Sequence, residues 1–163
     1  GLSFQDCVHE LYGIDLSPQM IERASSRKCY KNLFVGDVED IFKILDVKSF
    51  DMIVACDVFV YIGDLRGIFE SVLKHLCQDT GFFAFSTECL EECPSSTSSS
   101  SGTTTTTKPY VLHKNARFSH KRSYIEMLAK DVGFDIDLIE KSVIRKNGGK
   151  DVDGLLVVLS RSG

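Results

Sequence analysis

Short apolar runs that end on acids alternate along this chain with amphipathic stretches. Phe50 to Cys56 (FDMIVAC) and Gly81 to Thr87 (GFFAFST) are nearly continuous apolar segments, as expected of strands buried on both faces of a parallel sheet. Leu11 to Asp15 (LYGID) and Leu33 to Val35 predict two shorter strands. Between them, Ser17 is placed to cap a helix with Pro18 at its first position, and Met20, Ile21 and Ala24 give that helix an apolar face. Leu65, Ile68, Phe69, Val72, Leu73 and Leu76 repeat at helical spacing, with Asp64 placed to cap them. Residues 2–10 read as the tail of a helix, Val38 to Asp46 as a short helix, and Ser119 to Val132 as a helix closed by Gly133. Phe134 to Ile144 and Gly154 to Ser160 predict strands joined by a turn at Asn147-Gly148. The alternation predicts an α/β fold: a Rossmann-like, mostly parallel sheet with helices on both faces, finished by a C-terminal antiparallel hairpin.

Composition narrows this picture. The chain has 163 residues, 43% hydrophobic and 26% charged, which suits a single domain over residues 1–163 with one sizeable core. Residues 95–107 (SSTSSSSGTTTTT) cannot bury apolar surface and are expected to form a low-complexity loop that interrupts the domain without dividing it. The net charge of -4 advertises no surface for nucleic acid, and the cluster Lys114, Arg117, His120, Lys121 and Arg122 reads as a solvated helix start. No apolar run approaches a membrane span, and no leader pattern is present. The six cysteines are expected as reduced thiols in a cytoplasmic setting. Cys89 and Cys93 have no second pair and no nearby His, so no metal is expected there.

Open α/β sheets bind ligands at the carboxyl ends of their strands, so the candidate chemistry lies there. Asp15 is placed to accept both hydroxyls of a ribose or, equally, to serve as a turn acid. Asp37, after Gly36, can take the exocyclic amine of an adenine while the Val38 N–H meets a ring nitrogen; its alternative is a helix cap. Met20 suits the flat face of that adenine, or simply the core. Cys56 and Asp57 end the third strand, with Tyr61 close behind. Asp57 and Tyr61 are substrate-side candidates, against the plainer roles of loop acid and packing residue.

Three segments carry a family resemblance. GIDLSPQMIERA (Gly13 to Ala24), FVGDVEDI (Phe34 to Ile41) and FDMIVACDVFVYIGDL (Phe50 to Leu65) resemble the second-strand, adenine-reading and fourth-strand segments of class I S-adenosylmethionine-dependent methyltransferases. More narrowly, VYIGDL, FFAFSTE, NARFSHKRSYIEMLAKDVGF and RKNGGKDVDGLLVVL resemble methyltransferases described as containing tetratricopeptide repeats, although no such repeat is visible here. The resemblance implies S-adenosylmethionine as cofactor, bound through Asp15, Leu16, Met20, Asp37, Val38 and Cys56. It implies Tyr61, Arg117 and His120 at the acceptor, and the weighing of candidate bases points to Asp57 and His120. A small-molecule acceptor is expected, with no nucleic-acid or membrane partner.

One departure from the family is large. Its first strand and glycine-rich loop have no counterpart, and no G-x-G occurs anywhere in the chain. Strand and loop are expected to precede Gly1, with the strand lying between those ending at Asp15 and Cys56, so the 163-residue chain alone is expected to bind cofactor weakly or not at all. Two other readings stay open: a nicotinamide-dependent oxidoreductase, which also uses an acid after the second strand, and a non-catalytic relative kept as an interaction module.

Overall fold

The computed structural model describes residues 4, 6–38, 40, 42, 49–90 and 108–163. They fall into two compact units, Gly1–Lys48 and Ser49–Gly163. Of the expected helix over Val38 to Asp46 only Val38, Asp40 and Phe42 are described, and the Ser/Thr tract lies outside the described residues. Among the described residues no helix is long and apolar enough to cross a membrane.

The first unit is a two-stranded parallel sheet with one helix. β1 (Tyr12–Asp15) pairs with β2 (Asn32–Val35) so that Asp15 lies opposite Val35. α1 (Pro18–Ser25) links them. Its start is as the sequence predicts: the Met20 N–H donates to the Ser17 hydroxyl, and Pro18 occupies the first turn, where its missing N–H costs nothing. Of the expected helical tail over residues 2–10, the described residues are Phe4 and residues 6–10. Cys7 N–H bonds the Phe4 carbonyl in a single turn, and no helix follows before β1.

The second unit is built around β4 (Phe82–Leu90). Along one edge β4 runs antiparallel to β8 (Lys150–Arg161). Its other edge takes two parallel partners in succession, β3 (Met52–Ala55) over Phe82–Phe85 and β6 (Phe118–Lys121) over Glu88–Leu90. β5 (Tyr110–Leu112) borders β6, and β7 (Phe134–Asn147) borders β8. The result is the expected Rossmann-like α/β architecture with its C-terminal hairpin. That hairpin turns at Gly148 and Gly149, both at positive φ (56° and 81°), the backbone a two-residue turn between twisted strands demands.

α2 (Arg66–His75) and α3 (Arg122–Val132) pack together and bury Ile68, Phe69, Val72, Ile125 and Leu128. Phe83, Phe85, Leu155, Val157 and Leu159 are buried with them, and Phe69 meets Phe83 and Phe134 edge-on at 5.4 and 5.8 Å between ring centroids. Edge-to-face pairs add roughly 0.5–1.5 kcal/mol each to the burial itself. Asp64 sits one residue outside the expected cap position of α2; Leu65 is the cap residue, while the Asp64 carboxylate accepts the Arg66 N–H. The expected helix over Ser119 to Val132 is shortened too. Residues 119–121 pair with β4 and β5 as strand, because sheet hydrogen bonds on both edges outweigh a local helical preference.

Gly154 lets β8 lie tight on β4. A Cβ there would stand 2.5 Å from the Thr87 carbonyl oxygen and 2.6 Å from the Ile144 side chain. Backbone cannot give way at that distance, so Gly154→Ala is expected to destabilise the chain by about 1–3 kcal/mol, measured by urea unfolding. An unchanged midpoint would mean that β8 is free to shift along β4.

Candidate functional site

In the first unit, the parallel register brings Asp15 and Asp37 to the same end of the sheet. Asp15 closes β1, and the Gly36 N–H bonds the Asp15 carbonyl just before Asp37. One carboxylate oxygen of Asp15 accepts the Ser17 N–H at 2.8 Å, so the turn role foreseen as an alternative is filled. The other oxygen has no hydrogen-bond partner among the described residues. Around these acids the surface is apolar: Leu16 is 70% exposed, and Met20 and Val35 are about half exposed. Asp15 and Met20 also line an open cleft of about 420 Å³ with Gly13, Ile14 and Tyr30, whereas Leu16, Asp37 and Val38 lie outside it.

In the second unit, β3 ends at Ala55, Cys56 is exposed, and Asp57 turns into the left-handed region at φ 57°. The Asp57 N–H donates to the Ser86 hydroxyl of β4 at 3.0 Å, which fixes that turn. Aspartate is among the few side chains that tolerate this conformation. A single 3₁₀ turn, Phe59–Tyr61, follows; it buries Phe59 and Val60 and leaves Tyr61 exposed.

Arg117 arrives from the loop before β6. Ala116 at φ 59° reverses the chain there, and the Asn115 side chain accepts the Arg117 N–H. The guanidinium lies over the Tyr61 ring, 5.1 Å from its centroid, and donates to the Tyr61 hydroxyl at 3.1 Å. Its Nη1 stands 3.6 Å from Asp57 and 4.0 Å from Glu88. A second arginine completes the group. Arg145 follows a register irregularity in β7 between Val143 and Arg145, the kind of bulge that re-aims a side chain. It is ion-paired to Glu88 through Nη2, and its Nε stands 3.7 Å from Asp57. Two arginines and two carboxylates thus share one site at the strand ends.

His120 is a neighbour of this group but is walled off from solvent, with no exposed surface. Its Nε2 lies 3.0 Å from the Gly63 carbonyl oxygen, which can only accept, so Nε2 carries the proton. Nδ1 therefore accepts from the Thr87 hydroxyl at 2.6 Å. Burial pushes the imidazole pKa below its ordinary value, against the opposing pull of the Gly63 and Ile62 backbone.

The structure brings Asp57, Tyr61 and Arg117 into contact and sets His120 behind them. Sequence reasoning missed Glu88 and Arg145. Glu88 had a usable signal, since it closes the apolar run FFAFST as Asp15 closes LYGI. Arg145 had none, because its orientation depends on a bulge inside a hairpin strand. Among the described residues no cluster of three or more His, Cys, Asp or Glu is arranged to hold a metal.

Residues 4–83 match the family model of a methyltransferase domain. The sequence has no match among curated proteins. Solved structures share the fold across nearly the whole chain. An S-adenosylmethionine-dependent methyltransferase from Methanosarcina mazei superposes with a TM-score of 0.71 at 13% identity, over 99% of this chain and 86% of that one. Another from Clostridium acetobutylicum gives 0.68 at 17% identity, over 99% and 79%. The N-methyltransferase NodS from Bradyrhizobium japonicum, solved with S-adenosyl-L-homocysteine, gives 0.62 at 18% identity, over 94% and 67%. Neither the oxidoreductase nor the interaction-module reading finds support in these matches. The match over residues 4–83 is thus to a methyltransferase domain, and the fold of these S-adenosylmethionine-dependent methyltransferases is shared through the remainder of the chain.

Proposed function

We propose that this chain takes part in transferring a methyl group from S-adenosylmethionine to a small-molecule acceptor. The observation that carries the reading is the placing of Asp15 and Asp37 at one end of β1 and β2, beside exposed Leu16, Met20 and Val35. Two acids on an apolar shelf fit a nucleoside, which offers hydroxyls and an amine around a flat ring. Asp15 accepts the ribose hydroxyls through its open oxygen; Asp37 accepts the adenine amine; the Val38 N–H meets a ring nitrogen; and Leu16 and Met20 cover the ring face.

S-adenosylmethionine supplies a methyl group already activated by sulfonium charge. What remains for the protein is alignment, and placing reactants in contact and orientation can lower a barrier by roughly 7 kcal/mol or more. Tyr61 and Arg117 hold the acceptor, and Asp57, which stays half exposed, takes on its free oxygen the proton the acceptor gives up. His120 expected as a base is better assigned as a positioning residue. Both its nitrogens are engaged, and its bond to the Gly63 carbonyl fixes the segment that carries Tyr61.

A titration of millimolar S-adenosyl-L-homocysteine followed by amide chemical shifts tests the cofactor reading even where affinity is weak. Shifts are expected at Leu16, Ser17, Gly36 and Val38, weakening about tenfold in Asp15→Asn through loss of charged hydrogen bonds. Shifts confined to other residues would remove the cofactor from this sheet end.

The positioning role has its own pH signature. The folded pKa of His120 is lowered, while the unfolded imidazole takes a proton near pH 6.5. The unfolded state then binds more protons as pH falls, so stability is held above about pH 6.5 and lost below it, by at most about 1.4 kcal/mol per pH unit. Burial holds the hydroxyl of Tyr124, whose ring stacks on His120, up at about 12 and so outside this window. Thermal unfolding between about pH 7.5 and 5.5 is expected to show this loss in the parent and a flatter profile in His120→Gln. Equal slopes would show that His120 is not the titrating group.

A further inference from the structure

We infer that the acceptor carries a carboxylate, and that Arg117 and Arg145 receive it in exchange for Asp57. The inference rests on reading this cluster as the acceptor site, and it goes further in naming the chemical class.

The four charges of the cluster cancel, but the pairing is uneven. Glu88 is buried and bound directly by Arg145 Nη2. Asp57 has a side chain 53% exposed, and its Oδ1 stands 3.6 Å from Arg117 Nη1 and 3.7 Å from Arg145 Nε. Both distances exceed a hydrogen bond between charged groups, which closes to about 2.7–2.9 Å. The same two nitrogens, Arg117 Nη1 and Arg145 Nε, are buried and have no hydrogen-bond partner among the described residues. Buried donors on charged groups are rarely left in this state, and each such case calls for an acceptor atom.

Those donors come from two separate elements and converge on one oxygen position. Asp57 Oδ1 marks that position without satisfying it. A ligand carboxylate, free to approach closely, can bring an oxygen to both donors at the length of a charge-assisted hydrogen bond. The members that would remain are anchored elsewhere: Arg117 by the hydroxyl and ring of Tyr61, Arg145 by Glu88. Asp57 is the member with the weakest ties and the most solvent, so it is the one displaced. An ammonium-bearing acceptor would meet two guanidiniums at the same place and be repelled. The exposed Tyr61 ring beside Arg117 offers an apolar shelf for the body of the acid.

The test uses benzoate and its neutral isostere benzamide, titrated into the 163-residue chain at low ionic strength with no cofactor present. Its outcome is therefore independent of the nucleoside half of the proposed function. Benzoate is expected to bind saturably and benzamide about tenfold more weakly or less, the difference a charged hydrogen-bond pair makes. Asp57→Asn keeps the side-chain shape and the tolerance of positive φ while removing the competing charge, so benzoate should bind about three- to tenfold more tightly. Arg145→Gln should lose about tenfold or more. Gain of affinity on removing a carboxylate is a result that a merely structural role for Asp57 does not produce. Equal binding of benzoate and benzamide by the parent chain, which needs no variant to measure, overturns the proposal. So does an Asp57→Asn variant, folded by circular dichroism, whose benzoate affinity is unchanged or lower.

Discussion

In the second unit everything is referred to β4. A strand with partners on both edges has little freedom of register, because a slip of one residue would turn the buried Phe83 and Phe85 to the opposite face. β8 fixes one edge, while β3 and β6 divide the other between them. That division places the end of β3 near the middle of β4, so Asp57 emerges beside Ser86 and Glu88. It also places Arg117, just before β6, at the same level. The chemistry of the site follows from where two short strands share one long neighbour.

Polar groups inside this unit are retained only where they complete a chain of bonds. Thr87 donates to His120 and His120 to Gly63. Nearby, the Tyr124 hydroxyl accepts the Leu65 N–H and donates to Asp64, tying α3 to the start of α2. The His120 and Tyr124 rings stack at 16° with centroids 6.0 Å apart. Gly63 is required in this packing, since a Cβ would meet the Phe118 and Tyr110 rings at 2.8 Å. A buried imidazole without these partners would carry an unmet desolvation cost of about 1–3 kcal/mol. With them it joins the loop carrying Tyr61 to β4 and β6.

The parts legible in the sequence are those decided locally. Ser17 and Pro18 start α1, the helical spacing of Ile68, Phe69 and Val72 marks α2, and Gly133 ends α3 at φ 106°. Acids closing strands were readable for the same reason, since a run of apolar residues ending in Asp needs no tertiary information. What was not readable depended on partners distant in sequence. Ser119 to Lys121 became strand because β4 and β5 lie on either side, and β5 itself is too short and mixed to announce itself. Arg145 joins the cluster only through a bulge in β7, and nothing local in the sequence shows that Thr87 and Gly63 enclose His120, the residue expected as a base at the acceptor.

The strained turn at Asp57 is best understood through the groups that hold it. A non-glycine residue at positive φ persists when its surroundings over-determine it. Here the Ser86 hydroxyl holds the backbone, while the side chain is drawn toward arginines from the loop before β6 and from β7. Three elements therefore converge on one residue, yet none of the side-chain contacts closes to hydrogen-bond length. Two arginines against a single buried Glu88 would leave a net charge in a partly buried site, and an unmatched buried charge costs about 3–5 kcal/mol. Asp57 balances that charge from the solvent side. A counter-ion that is necessary for neutrality and loosely held is also one that another anion can replace, so the same arrangement that balances the cluster lets it accept a ligand.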